Sequence, residues 1–305
     1  MSAGGGTRAV VAALGANLGI AATKFLAFAL TASSSMLAEA IHSVADSTNQ
    51  VLLLVGGKRA ERGETTKHPF GYGRERYIYA FVVSVVLFAV GGVFAVYEGI
   101  HKITHPEAIT AWKWVPVAVL GVAIVLESLS FRTAIHETNQ VREGASWAAF
   151  IRHARAPELP VILLEDFAAL VGLVLAFLGV GLTLLTGNGV WDGVGTLAIG
   201  ALLVIVAVIL AVETKSLLLG ESATAEQVAA IEAAITSDDG VCRLIHMRTL
   251  HLGPEELLVA AKIAVPGEER AAQVAKVIDA AEARIRTAVP IARVIYLEPD
   301  IDRGA

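Results

Sequence analysis

Within an apolar run from Met36 to Gly57 stands the segment Ala38-Glu-Ala-Ile-His-Ser-Val-Ala-Asp-Ser-Thr-Asn-Gln50. His42 and Asp46 are four residues apart, so on a helix they share one face. An imidazole and a carboxylate inside a membrane span cost several kcal/mol unless they face a partner, a cavity or an ion. Polar glue between helices is one reading of such groups. Half of a metal site, one nitrogen and one oxygen donor a turn apart, is the sharper one. A second costly feature is Glu165-Asp166, two adjacent carboxylates in the apolar run that follows Pro160. Neighbours on a helix point about 100° apart, so one face cannot present both equally. Asp46 lies 12 residues from Lys58 and Asp166 lies 8 from Glu158. At about 1.5 Å per residue these depths, about 18 Å and about 12 Å, let the two meet in one layer if the helices tilt.

The composition says what must position these groups. Of 305 residues, 55% are hydrophobic and 17% charged, against about 25% charged in a soluble domain. Mean hydropathy is +0.64. This is a polytopic α-helical membrane protein with a polar portion attached, and nothing in it points to nucleic acid. The net charge of −5 is segregated by region and says little as a sum. Cys242 is the only cysteine, so metal chemistry must use His, Asp and Glu. No cleavable leader is needed, because the first apolar stretch is long enough to remain in the bilayer.

Six stretches can span: about 9–30, 35–57, 77–100, 114–131, 160–186 and 190–212. Lys58, Arg59, Arg62, Lys67, Arg74 and Arg76 crowd the loop 58–76, and Arg132, Arg142, Arg152 and Arg155 the loop 132–159. The loops of the other side are poor in basic residues, which places both termini in the cytoplasm. Asn17 and Lys24 interrupt the first span on one face and read as interhelical hydrogen-bonding groups. Glu127 in the fourth span reads as an internal ion-pair or hydrogen-bond partner rather than a primary ligand. His68, in Lys67-His-Pro-Phe-Gly-Tyr-Gly-Arg-Glu-Arg76, is either a peripheral ligand or a solvated loop residue.

Residues 1–212 therefore form a six-helix membrane domain and 213–305 a cytoplasmic one. In the latter, helical periodicity runs from Thr224 to about Ser237, and strands are expected at 241–252 and 257–265 around Gly253-Pro254-Glu255-Glu256. A second amphipathic helix starts near Glu268, and a third strand covers 291–297. The order αββαβ describes a small open-faced α+β module.

Three of these pieces, Ala38–Asp46, His68–Arg76 and Arg248-Thr249…Gly253-Pro254, occur in the order and spacing of a known pattern. The chain resembles the cation diffusion facilitator family of divalent-metal transporters. The resemblance implies a transport site of two residues from the second span and two from the fifth. His42 and Asp46 match the second-span positions, and Asp166 matches the fifth-span aspartate. The usual fourth ligand falls on Ile162, which cannot bind metal. The Leu-Leu-Glu-Asp stretch is similar to mitochondrial-type zinc transporters, in which Glu165 would stand in. His68 matches a loop ligand position whose partners fall on Thr65 and Tyr72. Family zinc positions in the cytoplasmic domain fall on Ile245, Ala261, Tyr296 and Glu298, so no strong regulatory cluster is expected. Arg74 matches one side of a charged interlock, with Glu221 the nearest available partner.

The expected function is secondary export of a divalent cation from the cytoplasm in exchange for protons. Zn²⁺ suits one imidazole with carboxylates, and Mn²⁺, Fe²⁺ or Co²⁺ are the other candidates. Protons compete with the metal because binding needs neutral His42 and ionised Asp46 and Asp166. No separate cofactor is expected. The resemblance implies a homodimer joined by the cytoplasmic domain, and the cell (inner) membrane is the default location. A metal-regulated scaffold or sensor is the alternative that Ile162 supports. An intramembrane metalloenzyme is opposed by the lack of a His-Glu-x-x-His motif or a nucleophile–base pair.

Overall fold

A computed structural model describes residues 4–31, 34–106, 114–142, 144–237 and 240–301. They form two compact units, residues 1–59 with 75–215, and residues 60–74 with 216–305. The loop 60–74 thus lies early in the sequence but clusters with the C-terminal part.

The first unit holds the long apolar helices α1 (Gly4–Thr31), α2 (Ser34–Ala60), α5 (Trp114–Val141), α7 (Glu158–Thr186) and α8 (Val190–Leu219). A further span is built of α3 (Glu75–Val86), a π-helical segment (Leu87–Val93) and α4 (Phe94–Thr104). Five helices among the described residues are long and apolar enough to cross a membrane; α2, which carries the polar stripe, is the sixth long one. α5 runs to Val141, ten residues past the expected end, because its charged extension still buries Ala134, Glu137 and Thr138. The expected loop 132–159 is shortened accordingly and holds the short α6 (Trp147–His153), which Ser146 caps by accepting a bond from Ala149 N at 3.2 Å.

α1, α5 and α7 pack against one another, and the core includes Val10, Leu53, Val83, Ile162, Leu163, Ala168 and Leu210. Large apolar side chains also cover the outside, among them Leu18, Phe94, Val125, Leu178 and Ile205. In water that would be an aggregation surface; facing lipid tails it costs nothing. Glycines set how closely helices approach. A Cβ on Gly99 would lie 2.5 Å from Leu197 N, and one on Gly200 2.6 Å from Val96 N. The span 75–104 and α8 therefore touch backbone to backbone, as small residues allow in membranes.

In the second unit, α9 (Ala225–Thr236) begins with a capping box between Thr224 and Gln227. Strands β1 (Arg243–Gly253), β2 (Glu256–Val265) and β3 (Ala292–Ile301), with α10 (Ala271–Ala288) between the last two, complete the αββαβ order. The sheet order is β1-β2-β3, antiparallel then parallel. β3 runs four residues further than expected, through Pro299, a residue that an edge strand tolerates. α10 starts three residues later than expected, after the Pro266-Gly267 turn. Ile231, Ile235, Val259, Ile263, Val277 and Ile285 make this unit's own core.

Candidate metal centre

The polar groups of the first unit gather where α1, α2, α5 and α7 pack, and they are arranged as directed chains. Glu165 is 6% exposed. Its Oε1 accepts from Asn49 Nδ2 at 2.9 Å and its Oε2 from Gln50 Nε2 at 3.0 Å. Gln50 is itself held, its Oε1 accepting from Asn17 Nδ2 at 3.2 Å. Asp166, 2% exposed, turns the other way and accepts on Oδ2 from Ser130 Oγ of α5 at 2.7 Å. The two adjacent carboxylates thus address different helices, as their 100° separation requires. Lys24 of α1 donates to Ser43 Oγ at 2.9 Å. Asn17 and Lys24 are interhelical hydrogen-bonding groups, as read from the sequence.

Asp46 is half-buried on α2, and Glu127, 2% exposed, lies one turn before Ser130 on α5. Glu127 and Glu165 lie within electrostatic reach of each other and each within reach of Asp46 and Asp166. Yet among the described residues no three His, Cys, Asp or Glu groups come together closely enough to hold a metal. The layer of Glu165 meets α2 at Asn49 and Gln50, three and four residues beyond Asp46, or about 5 Å along the axis. His42 lies on α2 by its backbone; its side chain is outside those described. Ile162, one turn before Asp166, is fully buried in the apolar core.

His68 lies in the second unit's loop, exposed, its ring 4.7 Å from that of Tyr72. Its backbone N donates to Thr65 Oγ1 at 3.1 Å, so the two residues at the expected partner positions do surround it. His246 is exposed on β1 opposite Lys262, whereas His251 is 1% exposed. The Arg74 guanidinium lies beside Gly220, one residue from Glu221.

Sequence reasoning missed the roles of Asn49, Gln50 and Ser130. The signal was present for the first two, as adjacent amides one turn past Asp46; Ser130 looked like any small residue of an apolar span.

Comparison with known proteins bears on the whole arrangement. Residues 10–219 match the family description "Cation efflux transmembrane domain", and residues 223–300 match "Cation efflux protein, cytoplasmic domain". The chain is 33% identical over 246 residues to the "Proton-coupled zinc antiporter SLC30A9, mitochondrial" of Mus musculus and of Homo sapiens. That match covers 80% of this chain and 43% of those relatives, so the chain spans under half their length. It is 27% identical over 263 residues to "Metal tolerance protein C4" of Arabidopsis thaliana, covering 86% of this chain and 57% of that one. With a membrane domain of apolar helices carrying buried carboxylates and an αββαβ domain after it, the chain belongs to the cation efflux, or cation diffusion facilitator, family.

Proposed function

We propose that this protein is a secondary transporter that exports a divalent cation, Zn²⁺ foremost, from the cytoplasm in exchange for protons. The observation that carries the reading is Asp166, 2% exposed in the first half of a 29-residue apolar helix, in a chain of the cation efflux family. A carboxylate there is too costly to keep for packing alone. The names of the antiporters at 33% identity support zinc and proton coupling.

In this reading His42, Asp46 and Asp166 bind the ion, one imidazole with two carboxylates suiting Zn²⁺. Each must shed its proton to do so, which makes metal and protons rivals for one site and couples their movements in opposite directions. Ser130 orients Asp166. Glu165, with both oxygens engaged by amides, joins α7 to α2 and stands beside the ion without touching it. His68 is a peripheral capture point, its ring tilted against that of Tyr72. Residues 1–212 are the transport domain, and the domain after it pairs two copies. The protein lies in the cell (inner) membrane with both termini in the cytoplasm.

The test is ⁶⁵Zn²⁺ uptake into proteoliposomes under a pH gradient, with Asp46→Ala and Asp166→Ala beside the wild type. Gradient-driven uptake lost in both variants is the expected result. No uptake of Zn²⁺, Mn²⁺, Fe²⁺ or Co²⁺ by the wild type would favour a metal-responsive scaffold.

A further inference from the structure

We infer that the side-chain oxygen of Asn49 is a ligand of the transported cation, held in place by Glu165. This rests on the transport reading above. Ile162 leaves that ligand set one donor short of the four that zinc prefers. The buried hydrogen bonds run in one direction: Asn17 donates to Gln50, Gln50 donates to Glu165, and Asn49 donates to Glu165 from the other side. Gln50 Oε1 and both oxygens of Glu165 accept bonds within this chain. Asn49 Oδ1 is buried, in a side chain 1% exposed, and has no hydrogen-bond partner.

Its direction is determined chemically. The amide must turn its NH₂ to the Glu165 carboxylate, because a carbonyl oxygen there would be repelled, so Oδ1 faces away from Glu165. Leaving such an acceptor without a partner is costly, a penalty that a bound cation removes. The position is right for one. His42, Asp46 and Asn49 follow the i, i+4, i+7 spacing of one helix face. Asn49 also stands at the level of the α7 carboxylates, because its own amide reaches Glu165. A neutral carbonyl oxygen adds a hard donor without a third negative charge, so His42, Asp46, Asp166 and Asn49 would carry two charges against the cation's two. Glu165 is a positioning residue in this scheme: it aims Asn49 and does not touch the metal.

The experiment uses the full chain in detergent, with Zn²⁺ and Co²⁺ as the probes. Wild type, Asn49→Ala and Glu165→Gln are compared for metal affinity and for the visible absorption of bound Co²⁺. Asn49→Ala should weaken binding by at least the roughly 10- to 100-fold that loss of an outer partner brings, and should change the Co²⁺ spectrum. Glu165→Gln should weaken binding with the Co²⁺ coordination spectrum retained, since the orientation of the Asn49 amide would no longer be enforced but its oxygen would remain as a donor. A readout on the wild type needs no variant to fold: with ¹³C-labelled asparagine, adding Zn²⁺ should shift one side-chain carbonyl band in the infrared difference spectrum. Wild-type affinity and an unchanged Co²⁺ spectrum in Asn49→Ala, or no shifted carbonyl band in metal-loaded wild type, would overturn the inference while leaving the transport reading intact. Failure of the wild type to bind either metal would overturn both.

Discussion

Asp166 and Ser130 form the simplest unit on which function can be tested. A hydroxyl donating at 2.7 Å holds one carboxylate oxygen, Oδ2. Ser130→Ala removes the orienting bond and little volume. Zinc uptake should show a Michaelis constant raised roughly 10- to 100-fold, as for other outer-shell losses, with a maximal rate close to wild type. An unchanged constant would mean that Asp166 does not meet the ion. Glu256, which opens β2 in the second unit, offers a test of stability. Burial raises its pKa above the ordinary 4.5, Arg293 pulls it back, and the charge of Glu64 adds to the rise. The folded state therefore holds this proton more tightly than the unfolded chain does. Its contribution to stability is fully present below pH 4.5 and is lost as pH rises through the folded value. Glu256→Gln should slow hydrogen exchange in β1 and β2 at neutral pH, after correction for intrinsic rates, and do nothing below pH 4.5. Equal protection at both would remove the argument.

Between elements, ion pairs and glycines determine how the spans meet. Arg76, at the start of α3, donates to Glu158, in the first turn of α7, and both are largely shielded from solvent. This bond ties the span 75–104 to the helix that carries Asp166. Removing one partner of a buried pair strands the other, a cost of about 3–5 kcal/mol, whereas removing both costs far less. Arg76→Ala and Glu158→Ala should each lower the melting temperature in detergent more than the double variant does per residue removed. Strict additivity would show the pair to be idle. On the opposite end of the same span, Lys102 reaches Asp192 of α8 at 3.0 Å, but this pair is partly exposed and worth roughly 1 kcal/mol or less.

For the molecule as a whole, the loop 60–74 departs most from what sequence order suggests. It interrupts the membrane portion yet packs within the second unit. A Cβ on Gly73 would lie 2.9 Å from Leu252 O and 3.1 Å from Gly253 Cα, so only glycine lets the loop lie against the β1–β2 turn. Gly73→Val should raise hydrogen exchange in residues 71–74 and in the β1–β2 turn together. A rise in the loop alone would mean that the contact is incidental. Asp46→Ala, at the proposed metal site in the other unit, should leave both segments unchanged.

How much was legible in the sequence follows from the range of each interaction. Hydropathy and helix period act along the chain, so a membrane domain of long apolar helices, five of the six expected being apolar enough to cross among the described residues, and the αββαβ order could be read without a structure. The same holds for the charge asymmetry of the loops and for the spacing of His42 and Asp46. The helix ends slipped where burial overrode composition, as at Ala134 and Thr138 of α5. Which amides and hydroxyls face which carboxylates is a matter of long-range packing. Asn49 and Glu165 are 116 residues apart, and no periodicity links them. Adjacent Glu165 and Asp166 are both acidic; only the helices around them, α2 with its amides and α5 with Ser130, give each its different hydrogen-bond partners.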